Sequence, residues 1–301
     1  ASNNVAMGYY ALAANTTGNH NVAVGNNALD ANTTGIQNVA IGSLSLSAFS
    51  GNYNTAVGYG AMEATTNGNH NVAVGKTALN LNTTGYYNNA FGSNTLRNNT
   101  TGNHNNAFGY AALNQNTTGL YNSAFGDLAL QVNTTCASNS AFGAFSLDAN
   151  TTGSQNAAFG NNTLSSNTTG SSNTAVGRQA LADSTTASNN TAVGFQSLYV
   201  NTTGTENVAV GQGALDANTT ASYNTAVGRN ALGANTTGTM NSAIGNAALA
   251  NNTTGNYNTA NGQGALATNT TASNNTGLGF SALVSNTTGG NNVGIGYKAL
   301  D

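Results

Sequence analysis

The chain has 301 residues, of which 38 are Gly, none is Pro or Trp and one is Cys; by count 56 are Asn. Only 4% of the residues are charged and the formal net charge is −3, whereas about 25% charged residues is usual in soluble domains. Without a cluster of Lys and Arg the chain is not expected to bind nucleic acid, and without about 18 consecutive apolar residues it is not expected to insert into a membrane.

One 17-residue repeat runs through the whole sequence. The type unit extends from Asn19 to Gly35, and its residues define positions 1 to 17 of a coil. Position 3 is Asn in all eighteen copies, and position 7 is always Gly. Position 5 is Ala except in the last two copies, where it is Gly, and position 11 is Leu except at Met62. Self-similarity at a fixed period is typical of solenoids.

In chain order, each coil predicts a strand at positions 3 to 6, a turn at the Gly of position 7, a second short strand at positions 10 to 13, and a polar corner at positions 14 to 17. No stretch of helix formers is long enough for a helix. We therefore predict an all-β parallel β-solenoid (β-roll) with one repeat per coil and about eighteen coils, forming a single rod-like domain over residues 1–301.

One coil breaks the period. Residues 36–51 make a 16-residue unit that ends in Ala48-Phe49-Ser50-Gly51, where other coils carry Asn-Thr-Thr-Gly. A local bulge or a shortened loop is expected there. No polar capping coil closes either end of the repeat array, so we expect a segment of a longer fibre or a subunit that stacks end to end.

Stacking places each side chain about 4.8 Å from its counterparts in the neighbouring coils. An amide both donates and accepts, so the Asn column of position 3 is predicted to form a hydrogen-bonded ladder. The Gly of position 7 is predicted to adopt a positive φ, and the Leu of position 11 to point inward with the Ala of position 5. The predicted structural residues are Asn21, Asn38, Asn54, Asn71, Asn88, Gly25, Gly42, Leu29 and Leu79.

If position 5 faces inward, position 6 faces outward, because side chains alternate along a strand. Position 6 is nevertheless apolar in seventeen of the eighteen copies, and a soluble monomer does not normally expose such a stripe. We therefore predict a homo-oligomer with position 6 at its interface. The predicted interface residues are Val24, Val57, Val74, Phe91, Phe108, Phe125, Phe142, Phe159 and Val176.

Three kinds of side chain raise more specific hypotheses. His20, His70 and His104 all occupy position 2, where three copies on a threefold axis could bind a metal; the alternative is an ordinary surface corner. Exposed Tyr at position 2 is a candidate for contact with a glycan. These residues are Tyr53, Tyr87, Tyr121, Tyr223 and Tyr257. The repeated Asn-Thr-Thr is formally a glycosylation acceptor, but a hydrogen-bonded corner is the favoured interpretation.

Neither catalysis nor a cofactor is expected. The carboxylates are scattered singly, and Ser, His and Asp show no convergence by register. The single cysteine, Cys136, replaces a turn Gly and excludes an internal disulfide framework. It is interpreted as a tolerated substitution rather than as a nucleophile.

The unit resembles the NTTGxxNxAxGxxAL repeats of bacteriophage tail-fibre proteins and of bacterial proteins with tail-fibre domains. Its NVAVG and NVAIG cores, at 21–25 and 38–42, are also similar to the shorter repeats of trimeric autotransporter adhesin heads. The resemblance covers essentially all 301 residues. It implies a trimer of left-handed β-rolls on a virion fibre or a bacterial cell surface.

These observations predict a non-enzymatic, extracellular structural shaft or adhesin stalk that contributes to attachment to a host or a surface, through a cell-surface glycan or another receptor. The alternatives are a solenoid that binds a ligand, a glycan before ice, through one flat face, and a subunit that polymerises head to tail into a filament.

Overall fold

The computed structural model describes residues 1–49 and 51–301 and confirms an all-β parallel β-solenoid with turns of about 17 residues. Each coil contributes one three-residue strand at positions 4 to 6. The chain comprises two compact units, residues 1–152 and residues 153–301.

The first unit stacks nine parallel strands in sequence order, with every strand in register with the next. They are β1 (Val5–Met7), β2 (Val22–Val24), β3 (Val39–Ile41), β4 (Thr55–Val57), β5 (Val72–Val74), β6 (Asn89–Phe91), β7 (Asn106–Phe108), β8 (Ser123–Phe125) and β9 (Ser140–Phe142).

The second unit repeats this arrangement with nine further strands. They are β10 (Ala157–Phe159), β11 (Thr174–Val176), β12 (Thr191–Val193), β13 (Val208–Val210), β14 (Thr225–Val227), β15 (Ser242–Ile244), β16 (Thr259–Asn261), β17 (Thr276–Leu278) and β18 (Val293–Ile295).

The core of each coil is small and regular. The Ala of position 5 and the Leu of position 11 are buried, as Ala23 and Leu29 show, and Leu79 is likewise enclosed. A small residue at position 10, such as Ala28, completes this core. The predicted inward orientation of positions 5 and 11 is therefore correct.

The predicted second strand at positions 10 to 13 is wrong. This segment is a series of turns in which positions 9 and 11 have positive φ, 53° at both Asn27 and Leu29. A non-Gly residue in this region costs about 1–2 kcal/mol. The cost is offset because the backbone still bonds along the stack: the N–H of Asn27 donates to the carbonyl of Tyr9 (2.9 Å), and the N–H of Leu29 to the carbonyl of Ser45 (2.9 Å).

The position 3 column is an Asn ladder, as predicted, but its main links join side chains to backbone. The backbone N–H of Asn38 donates to Oδ1 of Asn21 (3.0 Å), and Nδ2 of Asn38 donates to the same oxygen (3.2 Å). Nδ2 of Asn21 donates to the carbonyl of Gly35 (2.9 Å), which closes the coil. The same pattern holds at Asn54, Asn71 and Asn88. Because these residues are buried, each bond replaces a water contact that is lost on folding.

A second Asn column, at position 14, forms the hydrogen-bonded corner that was predicted for the Asn-Thr-Thr segments, and it lies inside the fold. Nδ2 of Asn99 donates to Oδ1 of Asn82 (2.8 Å), and Nδ2 of Asn116 donates to Oδ1 of Asn99 (2.8 Å). Both columns meet at position 17: the carbonyl of Gly102 accepts from Asn88 (2.8 Å) and from Asn99 (3.0 Å). Two amides thus satisfy both acceptor sites of one buried carbonyl.

The short coil at 36–51 keeps its strand in register, with Val39 paired to Thr55 only 16 residues later. Phe49 occupies position 14 and is buried beside Gly51, in place of the usual Asn. An apolar ring therefore interrupts the second Asn column in this coil. The predicted irregularity also includes Ser50, which lies outside the described residues.

Position 14 yields a stability prediction. Ser184 stands there between Asn167 and Asn201, and its buried hydroxyl lacks a hydrogen-bond partner. Ser184→Asn should restore the column by donating to the carbonyl of Ala187 and accepting from Asn201. We expect the free energy of unfolding to rise by about 1–2 kcal/mol, measured by guanidinium denaturation.

The matched control is Ser166→Asn at position 13, where Asn98 and Asn251 show that Asn is accommodated. This variant should change the stability by less than about 0.5 kcal/mol. Equal effects of the two substitutions would contradict the proposed role of the column.

Candidate functional surfaces

The outer strand face, formed by positions 4 and 6 of every strand, carries the predicted interface residues. All nine lie at the surface of their unit: Val24, Val57, Val74, Phe91, Phe108 and Phe125 are half-buried, while Phe142, Phe159 and Val176 are 36%, 40% and 38% exposed. The outward orientation of position 6 is therefore confirmed, and its burial between chains stays a prediction.

Within the first unit the Phe rings of this face stack on one another. The ring centroids are 4.7 Å apart for Phe91 and Phe108, 4.6 Å for Phe108 and Phe125, and 4.7 Å for Phe125 and Phe142. The ring planes are within 10° of parallel. The stacked faces are hidden, so the rings present their edges and not their flat faces to an external ligand.

A second aromatic surface, the ring column, runs along position 2 of the first unit. It consists of Tyr53, His70, Tyr87, His104 and Tyr121, whose consecutive centroids are 4.7, 4.9, 5.1 and 5.0 Å apart. The predicted exposure is correct, with Tyr87 48% and Tyr121 59% exposed. Sequence reasoning did not predict that these rings form one continuous stack, although their shared position in successive coils was the available signal.

Stacking within the ring column limits how a glycan could contact these rings. A sugar packs against the flat face of an aromatic ring, but both faces of Tyr87 are covered by His70 and His104. Tyr223 and Tyr257, in the second unit, are exposed, and in the described part of the chain no aromatic ring stacks on either. They and the end rings of the column are the remaining positions where a sugar ring could lie flat.

The histidines do not gather within one chain. His70 and His104 are separated by the ring of Tyr87, and the ring of His20 contacts Nδ2 of Asn3 (3.0 Å) and Oδ1 of Asn19 (3.0 Å). Among residues 1–49 and 51–301, no three His, Cys, Asp or Glu side chains lie close enough together to hold a metal ion.

The Asn-Thr-Thr corner orders one Thr per coil and leaves the other exposed. At position 15, Oγ1 of Thr83 donates to the carbonyl of Thr100 (2.9 Å), and Oγ1 of Thr100 to the carbonyl of Thr117 (3.0 Å). Thr84 and Thr101, at position 16, are exposed. The structure thus places a single outward Thr in each of these coils.

The single cysteine is enclosed in the fold. Burial raises the pKa of the Cys136 thiol, against the smaller opposing effect of its hydrogen bonds. This thiol donates to Oδ1 of Asn133 and accepts from Nδ2 of Asn150 (3.1 Å). A protonated, enclosed thiol is a poor nucleophile.

A hollow of about 310 Å³ lies in the second unit. It is lined by Asp216, Asn230, Gly233, Ala234, Ala250 and Asn251.

Burial also raises the pKa of the Asp148 carboxyl and that of Asp216. Because the folded state then binds protons more tightly than the unfolded state, stability is greatest below the unfolded pKa and falls as the pH rises through the folded pKa. We expect Asp148→Asn to raise the melting temperature at pH 7 and to leave it nearly unchanged at about pH 3, where both side chains are neutral. Thermal melts at the two pH values measure this, and a gain that is larger at pH 3 would contradict it.

Comparison with family models, curated proteins and solved structures finds no match to the chain. No helix among the described residues is long and apolar enough to cross a membrane.

Proposed function

We propose that the chain is a non-enzymatic structural shaft whose copies associate along the outer strand face. The main support for this proposal is the apolar column of position 6, which lies at the surface of each unit in nearly every coil. Contiguous apolar surface of this extent is typical of a protein–protein interface. The resemblance to tail-fibre and adhesin-head repeats supports an extracellular location, on a virion fibre or a bacterial surface, and an assembly of three left-handed chains.

The mechanism of such a shaft is mechanical. Its backbone bonds, two Asn columns and stacked rings all run from coil to coil, so bending or opening a unit breaks many of them at once. The interior is filled by Ala and Leu and contains two buried amide ladders. These coil-to-coil bonds suit a stiff, protease-resistant shaft, whose function is to hold a binding tip away from a surface.

Native mass spectrometry tests the proposal. We expect the chain to have the mass of three copies at micromolar concentration. The double variant Phe108→Asp/Phe125→Asp should dissociate it, because charge on the outer strand face is costly to bury. The matched control is Tyr223→Ser/Tyr257→Ser, which alters exposed position 2 and should leave the mass unchanged. A single, soluble wild-type chain would overturn the proposal, and a mass that grows with concentration would favour the head-to-tail filament.

The exposed rings of position 2 favour a glycan-binding solenoid as the second candidate. Replacing Tyr53 and Tyr121, the end rings of the column, together with Tyr223 and Tyr257 by Ser separates the two functions in a glycan-array measurement made beside the mass measurement. A shaft keeps its assembly and shows no binding to lose, whereas a glycan binder loses its signal.

A further inference from the structure

The outer strand face shows a relation between its two positions within the same strand. Wherever position 6 is Phe, in β6 to β10, position 4 is a side chain without β-branching: Asn, Asn, Ser, Ser and Ala in turn. In the other thirteen strands position 6 is not Phe, and position 4 is Val or Thr in all of them except β15, where it is Ser. A large residue at one position thus accompanies a small or unbranched residue at the other.

We propose that two copies of this chain pack with the same polarity and in the same register, so that position 6 of one copy lies against position 4 of the other. This inference rests on the proposed function, in which the outer strand faces meet. Around a common axis along the stacking direction, whether two or three copies share it, the strand end that carries position 6 of one copy meets the strand end that carries position 4 of its neighbour at the same level. Phe125 of one copy then lies against Ser123 of its neighbour, so that a large side chain packs against a small one.

Other arrangements fill the interface unevenly. Copies of opposite polarity would set position 6 against position 6, so the Phe rings would collide while the small side chains of position 4 left gaps. A displacement by five coils would place Phe125 of one copy against Val39 of the other, with more volume than the Phe125 and Ser123 pair. The relation between positions 4 and 6 therefore favours equal polarity and zero displacement.

Each unit offers a sizeable face for such a contact. Nine strands at about 4.8 Å spacing, each about 10 Å wide, give about 430 Å² per unit. One unit thus supplies about half of the roughly 800 Å² that each partner contributes to a standard protein interface, and both units carry such a face.

A volume exchange tests the pairing. Ser123→Phe should place two rings at one level and lower the association constant at least tenfold. Adding Phe125→Ser in the same chain should restore association, because every level again holds one ring and one small side chain. Both side chains lie on the outer face, so circular dichroism should show the fold retained. Failure of the second substitution to restore association would overturn the inference.

Disulfide formation tests the register independently, in a Cys136→Ala background that matches the Ala of position 17 in other coils. Ser123→Cys/Phe125→Cys should give covalent oligomers on oxidation, since two residues on one face of a strand are too far apart to pair within a chain. Asn89→Cys/Phe125→Cys, displaced by two coils, should not. Cross-linking of both pairs or of neither contradicts the register. A monomeric wild-type chain would instead overturn the proposed function, whereas an oligomer that fails these tests overturns only the pairing.

Discussion

Replacing Asn105 with Ala is expected to lower the free energy of unfolding by about 3 kcal/mol. Oδ1 of this buried residue accepts from the backbone N–H of Asn122 (3.0 Å) and from its Nδ2 (3.2 Å). Its own Nδ2 donates to the carbonyl of Gly119 (2.8 Å) and to Oδ1 of Asn88 (3.2 Å). Alanine removes all four bonds and leaves the N–H of Asn122 buried without a partner, which is the costly part of the change.

Guanidinium denaturation followed by circular dichroism measures this loss. The matched control is Asn26→Ala at position 8, where the side chain is exposed and only the backbone carbonyl bonds to the next coil, through the N–H of Leu44 (2.9 Å). It should change the stability by less than about 0.5 kcal/mol. If the two substitutions cost the same, the position 3 column does not stabilise the fold in the way its geometry indicates.

The sequence was sufficient to predict those features that depend on which residue type recurs at a single position of the repeat. An invariant Asn, an invariant Gly and a nearly invariant Leu at fixed positions predicted the solenoid, the first ladder and the core, because stacking forces each residue to contact its own copies. The alternation of positions 5 and 6 likewise placed the apolar stripe outside.

The predictions that were wrong or incomplete concern residues whose conformation or burial is set by contacts with adjacent coils rather than by local backbone preference. Leu rarely adopts positive φ, so Leu29 made positions 10 to 13 resemble a strand. The actual turns are stabilised by bonds to adjacent coils, which local propensity does not include. Asn32 was correctly expected in a hydrogen-bonded corner, but its burial was not predicted. That burial depends on the carbonyl of Gly35, to which its Nδ2 donates (3.2 Å) and which becomes an acceptor for two amides only in the closed coil.

The aromatic residues show a different limit. Tyr87 and His104 were treated as separate surface side chains, with a glycan and a metal as their respective hypotheses. Their parallel rings, 5.1 Å apart, form part of one column. The shared position predicted that they would be neighbours, but ring orientation depends on side-chain torsions that the repeat pattern does not specify.

Gly109→Ala is expected to destabilise the fold strongly, with a loss of about 4 kcal/mol or failure to form the affected coils. Gly109 stands at position 7 with φ of 129°, which an L side chain rarely adopts. Its Cβ would also lie 2.6 Å from the backbone carbon and oxygen of Gly126 in the next coil. Because backbone of one coil supports the next, neither atom can move away without opening the stack.

Gly264→Ala is the control for both effects, because its φ is close to one that other residues of this chain adopt and its Cβ would have room. Gly264 stands at position 9 with φ of 68°, and the nearest atom to its Cβ would be Oγ of Ser281, at 3.4 Å. Ala247 already occupies the same position of another coil with φ of 54°. Gly264→Ala should therefore cost no more than about 1 kcal/mol, because the strain is partly offset by the lower entropy of the unfolded chain. If denaturation curves place the two variants within about 1 kcal/mol of each other, neither the φ of Gly109 nor its contact with the backbone of Gly126 makes position 7 specific for Gly.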